Sequence, residues 1–385
     1  MMALHFERTE YDARRDRLLI EMAAAKLDAM LLFSQESMFW LTGYDTFGYC
    51  FFQCLVLKAD GSMVLLTRSA DLRQARHTST IDNITLWTDR AGSDPTLDLR
   101  NLLNDLDLLG AQIGVEYDTH GLTGFNARRL DEQLQTFGKI KDASTLIPRL
   151  RLFKSQAEVK KAERAAELSD DALDAALPLI KASGDEGAIL AAMQGAIFAG
   201  GGDYPANEFI IGSGADALLC RYKAGRRRLG KQDQLTLEWA GVFAHYHAPM
   251  MRTVLTGRAT KRHQELFEAA RAALLAAEAA MVPGKTFGDV FDAHAKVMEA
   301  YDLTRHRLNA CGYSVGARFS PSWMDMPMFY QGNPEPIAPD MTLFAHMIIM
   351  DSDTETAMTL GRTYLTTDGN PRSLSRHGLD LIVQV

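Results

Sequence analysis

The sequence predicts a two-domain α+β protein, with a smaller α/β domain over residues 1–148 and a larger α+β domain over 149–385. Three observations carry this. A chain of 385 residues exceeds the usual size of a single domain. Up to about Ile147, short apolar runs alternate with helical stretches. Beyond it the order is helices, strands, helices and strands, which suits a largely antiparallel sheet with helices on one face.

In the first domain, RRDRLLIEMAAAKL reads as a helix and DAMLLFS as a strand. FFQCLVLKADGSMVLLT reads as a hairpin that turns at Asp60-Gly61. NITLWT, LDLRNLLNDL and QIGVEYD continue the alternation. The boundary falls near Pro148. A long helix follows, with Ser155 placed as its N-cap and Glu158 in its first turn. After the glycine run AGGGDYP, the segments FIIGSG, QLTLEWAG and YHAPMMRTVLTG read as strands. Two helices, HQELFEAARAALLAAEAAMV and TFGDVFDAHAKVMEAY, are parted by Pro283-Gly284. MTLFAHMIIM and GRTYLTTDG return to strand, and no internal repeat is seen.

Composition narrows the function. Apolar residues make up 47% and charged residues 23%, near the averages for soluble globular proteins. The net charge of −8 argues against a nucleic-acid or anionic-membrane partner and for a small-molecule substrate. The dense basic run Arg221, Lys223, Arg226, Arg227, Arg228, Lys231 reads as a solvated turn, with Arg221 the exception. Cys50, Cys54, Cys220 and Cys311 form no CxxC pair and read as free thiols, as in a reducing cytoplasm. Neither a signal peptide nor an apolar run of about 20 residues is seen, so a cytoplasmic protein is expected.

The chemistry centres on LEWAGVFAHYHAPMMRTV, Leu237 to Val254. Alternation in its first strand places Leu235 and Leu237 on one face and Gln234, Thr236 and Glu238 on the other. This stretch resembles the first metal-binding hairpin of the creatinase and methionine aminopeptidase superfamily, the M24 pita-bread fold, in which two aspartates bind metal. The resemblance implies a C-terminal pita-bread domain behind a creatinase-type N-terminal domain. It puts Glu238 and Pro249 at the aspartate positions, and Tyr313, His346 and Leu360 at the later histidine and glutamate positions. A dinuclear site needs several carboxylates, so no metal and no cofactor are expected.

GYSVGARFSPSWMD and FWLTGYDTFGYCFFQ are, like the hairpin, similar to metal-independent ectoine hydrolase, and creatinase is a second metal-free relative. The departures are Ser322 and Asp325 around Trp323, and TLGR where a late E-x-S-E is expected. The likeness implies Glu238 as a nucleophile; a lone buried carboxylate also suits a general base. His247 is a candidate acid/base or substrate contact, His245 a weaker one, and which of them faces the pocket stays open. Tyr313 is a candidate oxyanion donor. Arg221 is a candidate carboxylate clamp, and His346 and Trp323 are candidate pocket residues. The aromatic loop from Tyr44 reads as core. In creatinase, however, the matching loop reaches the partner subunit's site, which implies a homodimer and makes Phe47 and Gln53 candidate substrate contacts.

The function expected is therefore metal-independent hydrolysis of a C–N bond in a small amidine or amide compound. A non-catalytic pita-bread protein that binds a ligand or partner is the second reading, and a metal-dependent Xaa-Pro dipeptidase or aminopeptidase the third.

Overall fold

A computed structural model describes residues 4–221 and 225–384, so Lys223 of the basic run lies outside the described residues. The chain divides into two compact units, Met1–Arg151 and Leu152–Val385.

The first unit runs α1 (Arg8–Ala24), β1 (Ala29–Leu32), α2 (Gln35–Thr42), β2 (Cys54–Lys58), β3 (Met63–Arg68), α3 (Leu72–Thr78), β4 (Asn83–Trp87), α4 (Pro95–Asp105), β5 (Gln112–Val115), α5 (Gly124–Leu134), β6 (Lys139–Asp142) and α6 (Leu146–Leu152), whose last residue crosses the division. Its sheet has the order β4-β3-β2-β1-β5-β6. The β2–β3 hairpin turns at Gly61, with φ +83°, a conformation glycine adopts freely. Apolar clusters formed around Leu31, Phe33 and Val56 and around Leu32, Trp40 and Leu57 make the core. All eight residues of α2 are buried, so it carries no polar face for a periodicity argument to find. Its N-terminal end is held by Glu116, whose carboxylate accepts from the Phe33 and Ser34 N–H groups, both at 3.0 Å.

The second unit opens with α7 (Gln156–Ala176) and α8 (Glu186–Ala199), followed by β7 (Ile210–Ser213), β8 (Asp233–Phe243) and β9 (Tyr246–Thr256). Then come α9 (Lys261–Ala280), α10 (Phe287–Ala300), β10 (Ala310–Ser314), β11 (Asp325–Tyr330), β12 (Thr342–Asp351), β13 (Thr356–Leu365), β14 (Arg372–Ser373) and β15 (Ile382–Gln384). The sheet has the order β11-β10-β12-β13-β9-β8-β7, with β14 beside β13 and β15 beside β9. Ser155 and Glu158 form a reciprocal capping box at the start of α7.

Cross-strand register fixes the two faces of this sheet, because directly paired residues project to the same side. One row is Met347, Leu360, Arg252 and Leu237. This face carries the helices: Met347 and Leu360 pack into the cluster with Leu266, Ala273 and Leu274 of α9, and Leu237 into the cluster with Leu168 and Leu173 of α7. Trp239, two residues along from Leu237, donates its Nε1–H to the Ser169 carbonyl at 2.8 Å. Gly241 follows, and a Cβ there would lie 1.9 Å from the Ala165 carbonyl oxygen; only glycine lets β8 approach α7 this closely. Arg252 is buried on this side and donates to the Met251 and Gly361 carbonyls at 2.8 and 2.7 Å, so it holds strands together. The neighbouring row, His346, Gly361, Met251 and Glu238, projects to the opposite face.

Among the described residues, no helix is long and apolar enough to cross a membrane.

Candidate active site

The face opposite the helices lines a cavity of about 780 Å³. Glu238 from β8, Tyr313 from β10 and His346 from β12 meet there, with Trp323 from the β10–β11 loop and Arg221 from the β7–β8 loop. Phe209, Met324, Met328 and Ile348 add apolar wall. Five of the residues expected at the site are thus assembled from segments up to 125 positions apart, by strand register and two loops.

Glu238 is 9% exposed. Burial raises its carboxyl from the ordinary 4.5 to about 7, opposed by the positive charge of Arg221 and by hydrogen bonding from Tyr313. The Tyr313 phenol is buried, and burial together with the neighbouring carboxylate holds its pKa well above the usual value, so it keeps its proton. The phenol oxygen accepts the Trp323 Nε1–H at 2.9 Å. Trp323 is itself fixed through its main-chain N–H, which donates to Asn207 Oδ1 at 3.0 Å. His346 packs its ring 5.7 Å from that of Tyr313 and 5.4 Å from that of Phe344. Burial lowers its pKa to about 4, so it is neutral at pH 7, and its Nδ1 has no hydrogen-bond partner on another residue.

Two expected residues of this unit, His247 and His245, do not line the cavity. His247 is buried behind the wall, where its Nε2 accepts the Ala206 N–H at 2.9 Å and its ring lies 6.3 Å from Trp323. Burial lowers its pKa to about 3. It therefore packs behind two cavity residues, Ala206 and Trp323, and does not itself line the cavity. His245 is not on a strand face either: with Ala244 it forms the two-residue turn of the hairpin, φ +49° and +63°, and it stacks on Phe319. Gln53 belongs to the first unit, where its amide is taken up internally: Nε2 donates to Gln35 Oε1 at 3.0 Å, and Oε1 accepts the Tyr44 hydroxyl at 3.2 Å. Nε2 also reaches Met38 Sδ at 3.7 Å, and Oε1 lies 3.5 Å from the Thr67 hydroxyl. Phe47, by contrast, is 79% exposed on that unit. The aromatic loop read as core divides: Trp40, Tyr44 and Phe52 are buried, while Phe47 and Phe51 are exposed. Asp325, flanking Trp323, lies 3.4 Å from Arg318.

Tyr313, expected as an oxyanion donor, lines the cavity beside Glu238, with its oxygen already accepting from Trp323. Asn207 is the residue sequence reasoning missed. Its part depends on a contact with a main-chain group 116 positions away, and no local pattern marks it.

A dinuclear metal centre does not fit this donor set. Pro249 has no side-chain donor and does not line the cavity. Leu360 projects to the helix face, and the residue beside it on the opposite face of the sheet is Gly361. Tyr313 is already engaged by Trp323. Of the family's ligand positions, one carboxylate and one imidazole remain, too few for two divalent ions. Among the described residues, the groupings of His, Cys, Asp and Glu close enough to share an ion do not include Glu238.

A largely antiparallel sheet backed by two helix pairs, with a cavity on the face opposite them, is the arrangement of a pita-bread domain. The chain belongs to metallopeptidase family M24, which its residues 160–368 match, and residues 14–153 match the creatinase/prolidase N-terminal domain. It is 27% identical to the ectoine hydrolase of Halomonas elongata over 89% of each chain. It is 24% identical to the Xaa-Pro dipeptidase of Pyrococcus furiosus over 52% of this chain and 58% of that one. Among solved structures it superposes on the prolidase of Pyrococcus horikoshii with a TM-score of 0.83 and 19% identity, covering 96% of this chain and all of that one. The X-Pro aminopeptidase of Thermotoga maritima gives 0.83 at 17% identity, covering 96% and 99%.

Proposed function

We propose that this M24 hydrolase breaks a C–N bond in a small amidine or amide compound without a metal, using Glu238 as nucleophile or general base. The observation that carries the reading is Glu238 itself. It is a buried carboxyl poised near neutrality on the cavity face, in a site where the other positions for metal-binding carboxylates hold Pro249, His346 and Leu360. As a base, Glu238 takes a proton from water, the water oxygen bonds to the substrate carbon, and the proton passes to the departing nitrogen. As a nucleophile, its carboxylate oxygen bonds to that carbon as the C–N bond breaks, the departing nitrogen takes a proton from water, and the hydroxide so formed hydrolyses the adduct and restores the carboxylate. Arg221 supplies positive charge for a substrate carboxylate, and His346 a neutral ring nitrogen. The similarity to ectoine hydrolase over most of both chains supports this class.

A second reading, a ligand-binding protein without catalysis, draws on the same missing carboxylates. Xaa-Pro peptide hydrolysis through metal is disfavoured by them. The separating experiment treats the protein exhaustively with chelator and incubates it with ectoine, creatine and short amides. The proposal expects product from at least one compound; binding without product favours the second reading, and peptide hydrolysis abolished by chelation favours the third.

A further inference from the structure

We infer that Trp323 is a positioning residue which, through Tyr313, fixes the direction of a hydrogen-bond chain ending on Glu238. The inference rests on Glu238 being the working group of the site. Its basis is donor chemistry. An indole N–H donates and accepts nothing. The Tyr313 oxygen, 2.9 Å from Trp323 Nε1, must therefore accept there, which leaves its one proton to be given elsewhere. The group in reach that receives it is the Glu238 carboxylate.

The chain thus runs one way, from indole to phenol to carboxylate. Both ends are held. Trp323 is 1% exposed and Tyr313 2%, and the Trp323 main chain is tied to Asn207, whose Nδ2 donates to the Glu208 carbonyl at 3.1 Å. With both nitrogen and oxygen of its amide engaged, Asn207 has a fixed orientation too. An accepted hydrogen bond makes a phenol a stronger donor. Removing the indole N–H therefore weakens the bond on Glu238 even though Trp323 never touches it. The other ionisable groups on the cavity wall are Tyr204, Glu208, Cys220, Arg221 and His346, and His346 is held neutral by burial.

One consequence is that the phenol donates to the ionised form of Glu238 and so offsets part of the rise that burial causes, which suits a base or nucleophile working near neutrality. A second is that Trp323, a candidate substrate contact by sequence, acts through another residue.

The test follows the carbonyl stretch of protonated Glu238 in the resting protein by infrared difference spectroscopy against pH, the band being assigned by its loss in Glu238→Gln. Trp323 is replaced by 3-benzothienylalanine, which keeps the bicyclic ring and lacks the N–H. The inference expects the midpoint of the Glu238 band to move upward. It expects no movement when the same replacement is made in Tyr313→Phe, because the connecting phenol is gone. An unchanged midpoint in the single replacement overturns the inference, as does an equal movement in both backgrounds. No substrate enters this measurement. Turnover with an unmoved band rejects the relay alone, and a moved band without turnover rejects the hydrolytic reading alone. Should the replaced protein not fold, Asn207→Ala in the intact chain frees the Trp323 main chain, and the same upward movement is expected.

Discussion

Glu238→Gln changes the pH dependence of stability in a way the structure sets in advance. In the unfolded chain the carboxyl titrates near its ordinary 4.5, and in the native cavity near 7. Below 4.5 both states hold the proton. Between 4.5 and 7 the native state holds a proton that the unfolded chain has lost, so stability falls as pH rises; above 7 the loss is complete. At about 1.4 kcal/mol per tenfold change in proton affinity, the full loss is about 3 kcal/mol. The glutamine variant escapes it. Relative to wild type, the variant should therefore gain about 3 kcal/mol between pH 4.5 and pH 8, with nearly all of the change between pH 5 and 7.5. Urea unfolding of both proteins, followed by fluorescence, measures this. Taking the difference cancels other groups such as Glu116, whose carboxyl burial also raises to about 7. Any constant offset from packing the amide drops out as well. A difference between the two proteins that does not vary with pH would refute the argument that burial dominates Glu238.

Two further outcomes follow from the donor set and the surface. Elemental analysis of the purified protein should find no tightly held stoichiometric transition metal, and chelator should leave activity intact; one or two retained ions lost together with activity would contradict this. The protein should be a homodimer at micromolar concentration by light scattering, because Phe47 is 79% exposed and Phe51 49% in a single loop. Phe47→Asp should weaken the dimer, and a wild-type monomer with undiminished activity rules it out.

Where one period or one cap decides an element, the sequence was readable. Alternation along QLTLEWAG placed Glu238 opposite Leu235 and Leu237, and the register of β8 with β9 and β13 gives the same faces. The Ser155–Glu158 box marked α7 because capping is local chemistry. Helix α2 escaped because burial on all sides erases amphipathic period. At the site, the residues on strands were legible and the partners of their polar atoms were not. His247 shares a hairpin with Glu238, but its disposition is set by an N–H 41 positions away. Gln53 sits in an amide network with Gln35 and Tyr44 that no local pattern marks. Leu360 and Gly361 differ by one position in a strand, and that one position is a change of face.

The central claim is that one carboxylate does the chemistry, and the turnover number of Glu238→Gln tests it most directly. Glutamine keeps the size and much of the hydrogen bonding but can neither take a proton from water nor form the adduct. On whichever amidine or amide the wild type hydrolyses, kcat should fall at least about a hundredfold. A variant that turns the same compound over at close to the wild-type rate would contradict the account and move the chemistry away from Glu238.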